Sequence, residues 1–437
     1  MRCPNDHGVG GWAGALRWPD PRRMTETTTA SAARSPEEHL ITFFDPANRP
    51  DPYPALHRMR EASPFYAMDG ALLVVGRHKD VETVLRSPVA SADRGKSKIL
   101  STDAVESRKE VMTFLDPPDH TRLRGLVTQA FTPRMVQGLE GRIREIVDDL
   151  VDQVARAGSP VDVPSVFSYP VPVRVICEML GVPPEDHKIF GTWSTVLGRA
   201  LDPLMAANRT PEIDKEDTET RAAFYQYFRD LIASGGARGE GLLTRLVEAE
   251  EAGDRLSEKE LLATLALLVM AGHETTANLI THGILTLLRH PEQLAMLRED
   301  PSLAFGAVEE ILRFEPSVQI LHRMAKESIE LDGFEIPADT DVLLLAAAAN
   351  RDPEVFDEPD RFDITRALGR RLDHLSFSSG VHRCLGANLG KLEAALALQA
   401  FFSRVDDPEL VVESLEYRPH VILRGPERME VAFSGVR

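Results

Sequence analysis

Apolar residues recur at helical spacing through Leu139, Ile143, Ile146, Val147, Leu150, Val151 and Val154, which predicts an amphipathic helix with one face in a core. The stretch from Ser257 to His290 is apolar almost all round. It opens on the capping box Ser257-x-x-Glu260 and is stopped by Pro291, so it predicts a buried helix ~50 Å long. From Leu385 a third run keeps Leu389, Leu392, Ala395, Leu396 and Leu398 on helical spacing. Shorter helices are predicted near His78 to Arg86, across the apolar segment that holds Cys177 and ends at Gly181 and Pro183, and over residues 291 to 314. Strand signals are fewer. Phe65 to Val75 predicts a hairpin turning at Asp69-Gly70, Leu321 to Ala325 a strand, and VLLLAAAANRDP a buried strand with a turn. Tyr417 to Phe433 alternates as a terminal hairpin would, around Arg424-Gly425-Pro426.

Elsewhere the periodicity fails. Residues 1 to 36 are rich in Gly, Pro, Thr, Ser and Ala, and are expected to form a disordered extension ahead of one domain over 37 to 437, with regular structure from near Ile41. Met24 offers a second translation start. The segment between residues 87 and 116 is polar, charged and irregular, a composition associated with functional loops. From Phe190 to Ile232 two helical stretches are interrupted by LDPLMAANRTPEIDKED.

Charge and cysteine content narrow the class. Lys and Arg total 50 against 68 Asp and Glu, a formal charge of -18, which argues against nucleic acid or an anionic membrane as the main partner. No apolar run reaches the ~20 residues of a membrane span, and the N-terminal segment lacks a signal-peptide core, so a cytoplasmic protein without a membrane anchor is expected. Three widely spaced cysteines, Cys3, Cys177 and Cys384, indicate no disulfide framework.

The stretch Phe377-Ser-Ser-Gly-Val-His-Arg-Cys-Leu-Gly386 places Cys384 between glycines just before an apolar helix. Backbone N–H groups at a helix start favour thiolate over thiol. Such a sulfur could be a nucleophile, a zinc ligand, an axial haem ligand, or an inert buried cysteine. A structural zinc site needs about four ligands, and only His382 and His374 lie nearby in the chain. A haem needs one thiolate, a loop of little bulk and cations for its propionates; Gly380, Gly386 and His382 suit those needs. In the long helix, Ala271-Gly-His-Glu-Thr-Thr276 conflicts with local helix preference, as functional sites do. Ala271 and Gly272 would admit a flat group, and Thr275 could bond the Ala271 carbonyl.

The pattern Phe377, Gly380, His382, Cys384, Gly386 resembles the haem-binding loop of the cytochrome P450 family of haem-thiolate monooxygenases, with Ser378 where a glycine is usual. The resemblance spans about residues 41 to 434 and implies a mostly helical α+β domain, with haem b between the Ser257 helix and the Leu385 helix. It implies Cys384 as the proximal iron ligand and Glu274 with Thr275 as the proton-delivery pair beside Ala271 and Gly272. His120 and Arg124, four apart on a helix whose cap would be Asp119, are implied to meet the propionates together with Arg323 and His382. Glu310 and Arg313 would form a buried structural pair with Arg361 as third member. The implied reaction inserts one atom of dioxygen into a C–H bond of a small apolar molecule: a natural product, terpenoid, steroid, fatty acid or macrolide. Electrons would come from a separate ferredoxin or flavodoxin-type donor with its reductase, and the chain would act as a monomer. Alternatives are a peroxide-driven peroxygenase of the same fold, a non-catalytic haem sensor or electron carrier, which would not need Glu274 and Thr275, and a cysteine hydrolase, which would be colourless.

Overall fold

The structure, a computed structural model, describes residues 34–99, 111–199, 202, 210–235, 241–251, 253–412 and 414–437. Residues 1–33 of the expected extension with the start at Met24, residues 100–110 of the irregular 87–116 segment, and residues 200–201 and 203–209 around the interruption lie outside the described residues.

The first helix, α1 (Pro36–Phe44), begins before the expected Ile41. Ser35 accepts from the Glu38 N–H while the Glu38 carboxylate takes the Ser35 N–H, a capping box with proline in the first turn. Helix α2 (Tyr53–Ala62) leads to β1 (Phe65–Ala67) and β2 (Leu72–Val75). Between the strands Asp69 and Gly70 both have positive φ, and the Ala71 N–H bonds the Met68 carbonyl, the turn expected there. Next come α3 (His78–Arg86), the short β3 (Ala90–Ser91) and α4 (Asp119–Ala130). Asp119 is the first helical residue rather than the cap; Pro118 stands at that position and provides no side-chain bond. Helix α5 (Glu140–Ala157) buries Ile143, Ile146, Val147, Leu150, Val151 and Val154, as its periodicity required. Helix α6 (Pro170–Met179) encloses Cys177, and α7 (His187–Gly198) is followed by α8 (Pro211–Ala233). The start of α8 falls inside the predicted interruption, because Thr210 caps the Ile213 N–H and Pro211 occupies the first turn.

Helix α9 (Glu258–Arg289) has both halves of its predicted capping box and crosses ~48 Å. The predicted 291–314 helix is two helices, α10 (Pro291–Glu299) and α11 (Ala304–Phe314). The chain breaks at Pro301, which lacks an N–H, where the Asp300 side chain accepts from the Ser302 N–H instead. Strands β4 (Leu321–Ala325) and β5 (Thr340–Leu344) complete a five-stranded sheet ordered β1-β2-β5-β4-β3, in which only β2 and β5 are parallel. All four residues of β2 are buried because apolar clusters cover both faces: Leu72 and Val74 enter one, Leu73 and Val75 the other. The last long helix is α12 (Ala387–Arg404).

The main core joins α5, α6, α9, α11 and α12, with α9 packed against α6, α7, α11 and α12. The C-terminal segment closes as Tyr417 bridges Pro426, but its tip spans residues 419 to 424 rather than Arg424-Gly425-Pro426. Gly425 lies on the returning arm, where any β-carbon would overlap the Asn278 side chain of α9. Among the described residues no helix is long and apolar enough to cross a membrane.

Candidate active site

The cysteine loop is a tight fold of backbone. The Ser378 N–H bonds the Leu375 carbonyl and the Cys384 N–H bonds the Phe377 carbonyl, each at 2.8 Å. Ser378 has φ +59°, the left-handed conformation a glycine would adopt with less strain, so the serine carries a backbone cost here. Gly380 has φ +68°, and a β-carbon on it would stand 2.5 Å from the Leu85 carbonyl oxygen; no other residue fits. Gly386 has an ordinary backbone, but a β-carbon there would lie 3.9 Å from the Cys384 sulfur. Phe377 packs half-buried against the His374 ring, 5.8 Å between centroids.

The Cys384 sulfur is the target of the Gly386 and Ala387 N–H groups at the start of α12. Burial nevertheless dominates and pushes the thiol up, against those N–H groups and the charges of Arg124 and Arg383. The expected thiolate therefore needs a further positive partner, such as a metal ion. Although deep in the fold, Cys384 retains open surface. Cys177, by contrast, is enclosed in the α6 core and its thiol is raised to about 12 by burial.

Cations gather on one side of this loop. The His120 ring of α4 lies 4.1 Å from that of His382, and Arg124, one turn on, donates to the Arg383 carbonyl at 2.6 Å. Arg323 of β4 is buried with its Nη1 on the His322 carbonyl, and burial lowers it to about 10. Its charge is felt by both His120 and His382. The nearby Asp116 is already taken by Lys96, Ser91 and the Ala92 N–H, while both His120 ring nitrogens are buried with no protein partner. Buried guanidinium and imidazole groups lacking carboxylates of their own are the complement of a bound dianion.

On α9 every residue from Leu261 to Leu287 is buried except Leu268, Ala271, Gly272 and Thr275. Those four follow i, i+3, i+4, i+7 spacing and so form one uncovered stripe in mid-helix. Nothing lies within 4 Å of where a Gly272 β-carbon would sit. The Thr275 hydroxyl donates to the Ala271 carbonyl at 2.7 Å, as predicted, and Ser317 Oγ donates to the Thr275 carbonyl at 2.9 Å. Glu274 lies beside this stripe, ~100° round the helix from Thr275, and meets the C-terminal segment. It is buried, with His420 Nε2 at 3.2 Å and Arg418 Nη1 at 3.8 Å from Oε1. Burial raises this carboxyl, but the neighbouring His420, Arg418 and His273 outweigh it and hold Glu274 below the ordinary value. Neither His420 nor Arg418 was singled out from sequence; the only trace was two basic residues in YRPHV of the C-terminal segment.

The Cytochrome P450 family profile matches residues 63–185 and 219–432. This chain belongs to that family. It is 39% identical over 423 residues to the vitamin D(3) 25-hydroxylase of Pseudonocardia autotrophica, spanning 93% of this chain and 98% of the relative. Identity to the polyketide biosynthesis cytochrome P450 PksS of Bacillus subtilis is 35% over 403 residues, 88% and 96% of the two chains. The ligand-free crystal structure of Mycobacterium smegmatis CYP164A2 superposes with a TM-score of 0.80 at 40% identity, over 91% of this chain and 100% of that one. The protein is accordingly an oxidoreductase of the monooxygenase class, and its family implies haem, a substrate, dioxygen and redox partners. An accessible deep thiol, a rim of unmatched cations and an uncovered helix stripe fit that cofactor.

Behind the cysteine loop of this P450, Glu310 and Arg313 of α11 are fully buried and joined by two bonds of 2.8 and 2.7 Å. Arg361 was expected as their third partner. Its side chain is instead 59% exposed and paired with Glu358, and only its carbonyl accepts from Arg313. The inward arginine is Arg366, with Nε 3.2 Å from Glu310 Oε1. Pro359 and Asn350 carbonyls take Arg313 Nη1, and Asn350 holds the Leu375 N–H at 2.7 Å and Ser376 Oγ at 2.8 Å. The ion pair thus fixes the backbone on which the loop begins.

Glu393 on α12 is buried with Oε2 unpartnered by protein, and burial pushes it up to about 8. Because the folded value exceeds the unfolded one, the stability this carboxyl contributes is fully present below about 4.5 and is lost as pH rises through about 8. Replacing Glu393→Gln should flatten that slope, so the thermal midpoint of the variant should fall less between about pH 5 and about pH 9 than that of the wild type. Equal falls would show that the carboxyl is not held neutral.

Proposed function

We propose that this P450 binds haem b through the Cys384 sulfur and inserts one atom of dioxygen into a C–H bond of an apolar natural product. When bound, haem supplies the redox centre at which dioxygen is reduced and one oxygen atom transferred. The observation that carries the reading is the uncovered Leu268-Ala271-Gly272-Thr275 stripe in an otherwise buried helix. Helix α9 meets α12 closely, since a Gly390 β-carbon would lie 3.3 Å from Thr276 Oγ1, and this supports the stripe and the thiol bordering one interior space. His120, Arg124, Arg323 and His382 would hold the propionates. Ala271 and Gly272 would admit the flat ring, while Phe377, Gly380 and Gly386 shape the loop beneath it. Glu310, Arg313 and Arg366 keep that loop in place.

Relatives named for vitamin D(3) hydroxylation and polyketide biosynthesis support an apolar substrate of natural-product type; terpenoids, steroids, fatty acids and macrolides fall within that class. Electrons would come from a separate ferredoxin or flavodoxin-type donor with its reductase. The P450 domain is assigned to residues 37–437 of a cytoplasmic monomer, together with the α1 residue Pro36.

Hydroxylation consumes one substrate, dioxygen, two electrons and two protons, and yields alcohol and water. Glu274 is the ionisable group on α9 placed to bring protons inward, and the adjacent Thr275 hydroxyl, on the open stripe, can pass them on. The test uses a compound chosen for the spectral shift it causes on binding. Thr275→Ala and Thr275→Val should release hydrogen peroxide in place of product for most NADPH consumed, Thr275→Ser should stay near wild type, and Glu274→Gln should slow turnover about tenfold or more. Equal product per NADPH in the three Thr275 variants would show that the hydroxyl only shapes the helix.

A further inference from the structure

The imidazole of His420 has two different faces. Nε2 is 3.2 Å from Glu274 Oε1, whereas Nδ1 is buried, has no hydrogen-bond partner in the protein, and stands 3.9 Å from Asp202 Oδ2. The ring also lines a partly open cavity of about 20 Å³, bordered by Arg49, Gln319, Phe43, Val421 and Leu423. That volume holds about one water molecule. Arg49 is 7% exposed with Nε and Nη2 unpartnered, and Gln319 is 2% exposed with Oε1 unpartnered. Buried donors and acceptors of this kind are satisfied by water when no protein group reaches them.

We propose that His420 is the group through which protons reach Glu274, taking them from water in the cavity beside Arg49 and Gln319. The proposal rests on the reading of Glu274 and Thr275 as the proton-delivery pair. In one passage the imidazolium gives its Nε2 proton to Glu274 Oε1: an N–H bond breaks, an O–H bond forms, and no electrons change hands. Glu274 passes a proton toward Thr275 and returns to carboxylate. The neutral ring then turns its bare nitrogen to the cavity and takes a proton from water that solvent replenishes. Arg418 cannot substitute, because a guanidinium keeps its proton; it lies 4.2 Å above the Tyr169 ring and balances Glu274.

The charged and titratable groups around His420 come from several elements. They are Glu274 and His273 of α9, Asp202 between α7 and α8, Arg49 ahead of α2, and Arg418 and Arg424 on its own segment. Burial lowers the imidazole, but Glu274 and Asp202 outweigh it, and the net displacement is upward, the direction that favours a proton donor to Glu274.

The experiment uses the haem-loaded full chain and follows NADPH-driven dioxygen consumption without added substrate, through a ferredoxin and its reductase. His420→Ala should slow it about tenfold and enlarge the deuterium solvent effect. His420→Asn, whose amide can still face Glu274 but cannot carry a proton, should remain slow. A His420→Asn variant as fast as wild type, or an unchanged solvent effect in a folded, haem-bound His420→Ala protein, would overturn the relay and leave a positional contact. If Glu274→Gln is itself unaffected, the proton-delivery reading fails; if Glu274→Gln is slow while both His420 variants match wild type, this inference alone fails. Independently of turnover, the nitrogen-15 signals of the His420 ring, assigned by their loss in His420→Asn, should titrate above an unperturbed histidine and drop in Glu274→Gln. An unmoved titration would show that ring and carboxylate do not interact.

Discussion

Arg313→Ala is expected to destabilise the protein by about 3–5 kcal/mol, the cost of leaving a buried charge without its partner. Glu310 has no exposed surface, and with Arg313 gone it keeps only Arg366 and the Asp363 N–H. Carbonyls of Asn350, Pro359 and Arg361 would lose their donor at the same time. Since Asn350 in turn holds Leu375 and Ser376, the damage should reach the cysteine loop and lower haem retention together with the denaturant midpoint. Arg313→Lys should rescue only part, because an ammonium keeps the charge but lacks the planar fork that meets Glu310 twice. Full stability in Arg313→Ala would mean that the pair is dispensable to the fold.

Cys384→His should remove the thiolate character of the haem and reduce monooxygenase turnover to background. The carbon monoxide complex of the reduced variant should lose the absorption band typical of thiolate ligation and resemble that of a histidine-ligated haem. Cys177 cannot take over, since it is enclosed in α6 and burial keeps its thiol protonated. Cys3 lies outside the described residues. A thiolate band that survives the substitution would assign the ligand to another cysteine.

What could be read from sequence was chemistry carried by neighbours in the chain. The Cys384 loop, the capping box of α9, and Thr275 reaching back to Ala271 are each set within ten residues, and each stands where local rules placed it. The break between α10 and α11 was also written, in Asp300-Pro301, but the apolar period resumes after the proline and hides it. Contacts between distant segments left no such mark. The His420 and Arg418 contacts to Glu274 depend on how the C-terminal tip lies against α9, which no local pattern states. Arg361 and Arg366 share one loop and one charge; backbone direction alone decides that Arg366 turns inward. Ser378 shows the converse, a residue that local preference disfavours but which the surrounding loop holds at positive φ.

The central claim is that the Cys384 sulfur ligates the haem iron, and iron K-edge X-ray absorption on the purified protein tests it most directly. The account predicts one sulfur neighbour beside the porphyrin nitrogens in wild type, and its loss in Cys384→Ser. A first shell of nitrogen and oxygen alone in wild type, or a sulfur that persists in Cys384→Ser, would contradict it.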